Sequence, residues 1–151
     1  MIKVSRLTDY AVLVLKDMAE GLEGLATATA LAEKTGVPGP TVAKVLKVLA
    51  KAGVLKAMRG MSGGYVLARA PEAISIAEII EAIDGPIAIT DCIESTESGC
   101  VVEHVCPMRS NWQRVNHAIR RALQGVTLAD MSCGKTEIAF MPDAAGKEAL
   151  L

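Results

Sequence analysis

Three of the four cysteines, Cys92, Cys100 and Cys106, fall within the stretch DCIESTESGCVVEHVCP, residues 91–107, with seven and then five residues between them. Gly99, the serines at 95 and 98 and three glutamates give this stretch the character of a polar loop rather than a helix or strand. A loop can wrap. Three thiolates carried by one such segment can converge on a single soft cation or cluster, which is the chemistry that sulfur ligands select. Neither interval is the two-residue gap of a zinc knuckle or of a thioredoxin-type pair, so zinc and dithiol exchange fit less well. Three ligands leave one coordination place open, to be filled from elsewhere in the chain or from a partner chain. Cys133 lies outside the constellation and reads as a plain thiol.

The rest of the chain must build a frame for that loop. Its 151 residues suit one ordinary domain, or a small domain with an appendage. The hydrophobic fraction is 51%, yet the only aromatics are Tyr10, Tyr65, Trp112 and Phe140. A core made of Leu, Val, Ile, Met and Ala favours packed helices. No apolar run approaches the roughly 18 residues of a membrane span, and residues 1–4 open no signal peptide, so a cytoplasmic protein without a membrane partner is expected. In that reducing compartment four cysteines read as ligands or sensors before structural disulfides. The net charge of −1 hides an asymmetry. Residues 1–70 hold ten Lys and Arg against five Asp and Glu, while residues 71–151 hold six against twelve. A basic front half suggests contact with a polyanion, although solvated helix faces would give the same count.

Leu7, Ala11, Val14, Leu15 and Met18 recur at helical spacing over residues 5–20, with Asp9 off that stripe. A second helix is expected over residues 27–35, ended by Gly36. Pro38 and Pro40 open a third, where Val42, Val45, Leu46 and Leu49 make one face and Lys44, Lys47 and Lys51 lie on the remainder. Two short helices joined tightly, the second basic, have the outline of a helix-turn-helix. Two short strands over residues 54–58 and 65–68 then flank RGMSGG, which reads as a glycine-tipped hairpin able to enter a groove. The candidate DNA contacts are Thr41, Lys44 and Lys47 on the helix and Arg59, Gly60 and Ser62 in the hairpin. Beyond Pro71, a helix is expected over residues 74–84. A longer one over residues 107–124 carries Met108, Trp112, Val115, Ile119 and Ala122 at intervals of 4, 3, 4 and 3, the spacing of a coiled-coil seam. A seam of this kind suits a homodimer that reads the two half-sites of a pseudo-palindromic operator in double-stranded DNA. One more helical turn is expected over residues 127–131.

The expected fold is therefore mainly α: a winged helix-turn-helix over residues 1–70, a sensor and dimerisation region over 71–133, and a loose tail over 134–151. In RLTDYAV, RGMSGGYVLA, SIAEIIEAIDGP and the three-cysteine loop before a long helix, the chain resembles the winged-helix iron-sulfur regulators of the IscR, NsrR and RirA type across about residues 2–132. GPIAITDC and NWQRVNHAIRRALQGVTLADM are most similar to the members that regulate the SUF iron-sulfur assembly system. The resemblance implies a transcription regulator, more specifically a repressor. It further implies a dimer in which Cys92, Cys100 and Cys106 of each chain hold a 2Fe-2S or 4Fe-4S cluster whose state sets DNA affinity.

Two departures bear on the fourth ligand. IscR-like members carry a histidine three residues after the third cysteine, where this chain has Arg109. NsrR-like members use a carboxylate from the first helix of the partner subunit, and Asp9 matches it. Asp9 from the partner chain is thus the expected fourth ligand, with His104, water or a small thiol as alternatives. Pro40 and Ala43 differ from the polar residues of IscR-like members, so their operator does not carry over. Two other readings remain: a cluster-free repressor responding through thiols or a small molecule, and a delivery protein for iron-sulfur clusters that does not bind DNA. No nucleophile set, phosphate loop or paired carboxylates suggests an enzyme.

Overall fold

The computed structural model describes residues 3–21, 24–94 and 100–132. Cys133, the tail over 134–151 and residues 95–99 of the cysteine segment lie outside the described residues.

Helix α1, Arg6–Glu20, starts where the Ser5 hydroxyl accepts the Thr8 N–H, and it buries Thr8, Ala11, Val14, Leu15 and Met18. Helix α2, Ala28–Thr35, is capped by Thr27 and ends at Gly36, whose φ of 73° lies in the left-handed region. Only the turn through Val37, itself buried, separates it from helix α3, Gly39–Lys51. Pro40 sits in the first turn of α3, and Val42, Val45, Leu46 and Leu49 form its buried face. Strand β1, Leu55–Met58, pairs antiparallel with β2, Gly64–Leu67, in a register running from Leu55↔Leu67 to Met58↔Gly64. A bridge between Ala26 and Tyr65 adds the chain entering α2 to this ribbon.

A 3-10 turn, Pro71–Ala73, leads to α4, Ile76–Asp84, capped by Ser75. Ile74 falls outside that helix yet is fully buried. After α5, Asp91–Glu94, and a 3-10 turn, Glu103–Val105, comes α6, Arg109–Gln124, and then α7, Leu128–Ser132. One apolar core joins Ala11, Val14 and Leu15 of α1 to Val45, Leu46 and Leu49 of α3, Ile79 of α4 and Leu128 of α7. The last helix is stitched in by backbone bonds. Ile76 donates to Val126 at 2.9 Å and Leu128 to Ile74 at 2.8 Å.

Two expectations are corrected. The cysteine segment is not loop throughout, because Cys92 lies in the helical turn α5 and a 3-10 turn precedes Cys106. Local i to i+3 bonds cause this: Ile93 N–H donates to the Thr90 carbonyl at 3.0 Å and Val105 N–H to Val102 at 3.1 Å. The long helix begins at Arg109, two residues after Pro107, with Met108 as its cap position. Its 16 residues span about 24 Å at 1.5 Å each.

Candidate nucleic-acid interface and cysteine centre

The buried stripe of α3 fixes which of its residues face out. Ala43, Lys44, Lys47 and Lys51 are exposed and Thr41 is half-buried. Next to this face, β1 exposes Lys56, and the hairpin tip exposes Arg59, Gly60, Met61 and Ser62. Lys44, Lys47, Lys51, Lys56 and Arg59 have no ion-pair partner among the described residues. Elsewhere Lys16 pairs with Glu20, Lys34 with Asp17, Arg69 with Glu78 and Arg120 with Glu81, while Lys3, Arg6, Arg114 and Arg121 are scattered cations likewise without an ion-pair partner among the described residues. The face made by α3 and the wing thus keeps its positive charges available, which a phosphate backbone requires.

The wing is held in place by backbone. Ala26 N–H donates to the Tyr65 carbonyl at 2.9 Å, and Tyr65 N–H returns a bond to Ala26 at 2.8 Å. A Cβ at Gly64 would stand 2.6 Å from the Ala26 carbonyl oxygen, so the close approach requires glycine there. Gly60, at φ 134°, makes the turn itself. Between the wing and the start of α2 lies an open groove of about 410 Å³, lined by Thr27, Ala28, Arg59, Gly60 and Tyr65 among others.

The cysteines sit on three short pieces between α4 and α6. Cys92 is half-buried on α5, its sulfur 3.3 Å from the Thr90 hydroxyl; Cys100 is exposed; Cys106 is half-buried just after the second 3-10 turn. All three are free of disulfides. His104 and Asp9 are both exposed. Among the described residues, no group of three or more His, Cys, Asp or Glu side chains stands close enough to hold a metal ion. The fold places the three sulfurs on one segment but does not bring them together with His104 or Asp9 into a closed cage. Their chemistry nonetheless fits iron or an iron-sulfur group, because the donors are soft thiols, partly accessible and uncommitted.

The residues that fix the base of this segment were not evident from the sequence. Asn116 is the one buried residue of α6, and its amide clasps the chain just before α5. Nδ2 donates to the Ile87 carbonyl at 2.8 Å, and Oδ1 accepts the Ile89 N–H at 3.2 Å. One turn further on, Arg120 reaches Glu81 of α4 through two bonds, at 2.6 and 3.1 Å. At the end of α4, Asp84 Oδ2 accepts from Thr8 Oγ1 at 2.8 Å and from Ser5 N–H at 3.1 Å. Burial alone would raise the Asp84 pKa, but the bonds from the Ser5 side chain, the Ser5 backbone and Thr8 outweigh it and hold the carboxyl below its ordinary value. Side-chain hydrogen bonds therefore link the chain just ahead of the cysteine segment to α6, α6 to α4, and α4 to the first turn of α1, where Asp9 sits. Asn116 and Asp84 gave no signal because their partners are distant in sequence.

Of the expected seam, Met108, Trp112 and Val115 are exposed at 47%, 41% and 43%, which leaves large apolar side chains on one flank of α6. Ala122 is also exposed, whereas Ile119 is half-buried and lines a cavity of about 330 Å³ with Ile80, Ile87, Ile89 and Leu123. Among the described residues, no helix is long and apolar enough to cross a membrane.

A winged helix-turn-helix with unpaired cations on its third helix and wing, followed by a cysteine-bearing segment, defines the class of DNA-binding transcription regulators. Within that class the chain belongs to the Rrf2 family, described as iron-dependent transcriptional regulators, whose pattern matches residues 4–134. A Synechocystis protein of the helix-turn-helix transcriptional regulator type is 33% identical over 130 residues, covering 85% of this chain and 86% of that one. The structure of CymR, the global cysteine regulator of B. subtilis, superposes with a TM-score of 0.66 at 28% identity, covering 87% of this chain and 97% of that one. T. potens IscR gives a TM-score of 0.62 at 32% identity, covering 86% and 85%.

Proposed function

We propose that this protein is a homodimeric repressor whose hold on a pseudo-palindromic operator depends on an iron-sulfur cluster carried by Cys92, Cys100 and Cys106. The observation that carries the reading is the set of three uncommitted thiols on the short segment between α4 and α6. The description of the family as iron-dependent and the likeness to an IscR support it. When bound, such a group supplies a redox- and oxygen-sensitive centre. The chain's own residues do the rest: the three sulfurs hold it, and Asp9 of a second chain is the preferred fourth donor, with His104 as the alternative. A carboxylate beside three thiolates is a hard and weak ligand, which suits a labile sensor. Thr41, Lys44, Lys47, Arg59, Gly60 and Ser62 contact DNA. Met108, Trp112, Val115, Ile119 and Ala122 contribute to the dimer contact. Regulation of iron-sulfur assembly or related stress genes in the cytoplasm is the physiological role that this reading favours.

Protein isolated without oxygen should be coloured, contain iron and sulfide, and footprint a promoter differently after the chromophore is removed. A colourless protein under those conditions, or promoter occupancy indifferent to replacing all three cysteines by Ala, would end the reading. The second reading, a cluster-free thiol-responsive regulator, is favoured by the likeness to the global cysteine regulator CymR and by the open arrangement of the three sulfurs. It predicts iron-free protein whose DNA affinity changes on oxidation and recovers with a thiol reductant.

A further inference from the structure

Met61 occupies the tip of the wing and is exposed at 108%, more than any other large apolar side chain described. Nothing in the fold explains an apolar residue there. It packs on no neighbour in the core, and it stands between Gly60, at φ 134°, and Gly63, whose Cβ position would crowd the Met58 carbonyl at 3.0 Å. The tip is therefore slender, with the side chains of Arg59 and Ser62 the nearest in sequence to one flexible thioether. Arg59 and Lys56 flank it on the same ribbon, with Lys44 and Lys47 on the neighbouring helix, so whatever covers Met61 is polyanionic. Double-stranded DNA meets both conditions. Its minor groove is about 6 Å wide, admits an arginine where it is narrow, and offers sugar and base-step surface on which apolar side chains wedge.

We infer that Met61 is an apolar contact of the wing with the minor groove, seated against deoxyribose or a base step beside Arg59. The inference rests on the wing lying against DNA. It assigns the two residues different physical roles. Arg59 displaces counterions, so its contribution falls as salt rises. Met61 buries apolar surface, so its contribution is nearly independent of salt. A thioether is unbranched and adapts to an irregular floor. At that depth Met61 also favours sequences whose steps open easily, such as TA and CA, at positions where no hydrogen bond reads the base.

The test uses full-length protein isolated without oxygen and a duplex that the wild type selects from a random pool, with affinity measured from low to high salt. Met61→Ala should weaken binding about tenfold with the salt slope unchanged, a loss on the scale of one buried apolar side chain. Met61→Gln, close in length but polar, should lose about as much, and Met61→Leu should recover most of the affinity. Arg59→Ala should weaken binding and flatten the slope by about one unit. Thermal melts of all four variants should match the wild type, since neither side chain packs in the core. Wild-type affinity for both Met61→Ala and Met61→Gln, with Arg59→Ala impaired, overturns the Met61 assignment alone. Wild-type affinity for Arg59→Ala as well removes the wing from the interface. Failure of the wild type to select any duplex overturns the DNA reading itself.

Discussion

At position 64 the wing backbone passes so close to Ala26 that one methyl group is decisive. In Gly64→Ala the new carbon would lie 2.6 Å from a carbonyl oxygen that itself accepts the Tyr65 N–H, so the two-bond bridge must open or the hairpin must shift. We expect a loss of about 2 kcal/mol, the usual scale for forced backbone displacement, with DNA affinity falling alongside it. Urea melts and a binding titration check both. Asp84 gives the second prediction at this scale. Its carboxyl is held below the ordinary value, so the stability it contributes is present above about pH 4, the unfolded carboxylate value, and is lost as pH falls through the depressed one. Asp84→Ala should therefore be less stable than the wild type at neutral pH, and the difference should shrink in melts recorded at successively lower pH. A difference that grew on acidification would contradict the sign of the shift.

Among the elements, α6 carries two kinds of contact within one turn. Asn116 holds the chain ahead of Cys92, while Trp112, one turn before it, and Val115 lie exposed. Asn116→Ala would leave the Ile87 carbonyl and the Ile89 N–H without their partners, at a cost of about 1–3 kcal/mol. It should also loosen the base of α5, so in reduced, metal-free protein Cys92 should alkylate faster while Cys100, already exposed, should not change. Peptide mapping after a timed iodoacetamide pulse reads this directly. The helix-turn-helix was legible from the chain alone because its signals are local: Val42, Val45, Leu46 and Leu49 repeat at helical spacing, and Gly36 with Pro38 and Pro40 punctuates the turn. So was the wing, from the glycines around Arg59. The turns at Cys92 and before Cys106 were not legible, since they occupy only four and three residues and no apolar period marks so short a piece. Neither was Asn116, whose role exists only once residues 27 and 29 positions apart have met.

At the scale of the whole molecule, the proposed function ties the exposed flank of α6 and the three cysteines to one question: how a change at the sulfurs would reach the two DNA-binding heads of a dimer. Trp112→Asp combined with Val115→Asp places two charges on a surface that a partner helix would bury, so sedimentation should show monomer where the wild type gives dimer. Operator affinity should fall steeply with it, because each half-site would be read alone. Fold stability should hold, since neither residue belongs to the core.

The shared core also determines where the polypeptide can be cut. Ile74, Ile76, Ile79, Ile80 and Leu128 lie in the same packed interior as the first and third helices. A fragment ending at Ala70 would strip that cover away and leave Val14, Leu15 and their neighbours facing solvent. Such a piece would precipitate rather than serve as a miniature operator reader, so dissecting this regulator calls for point changes in the intact polypeptide and not for truncation.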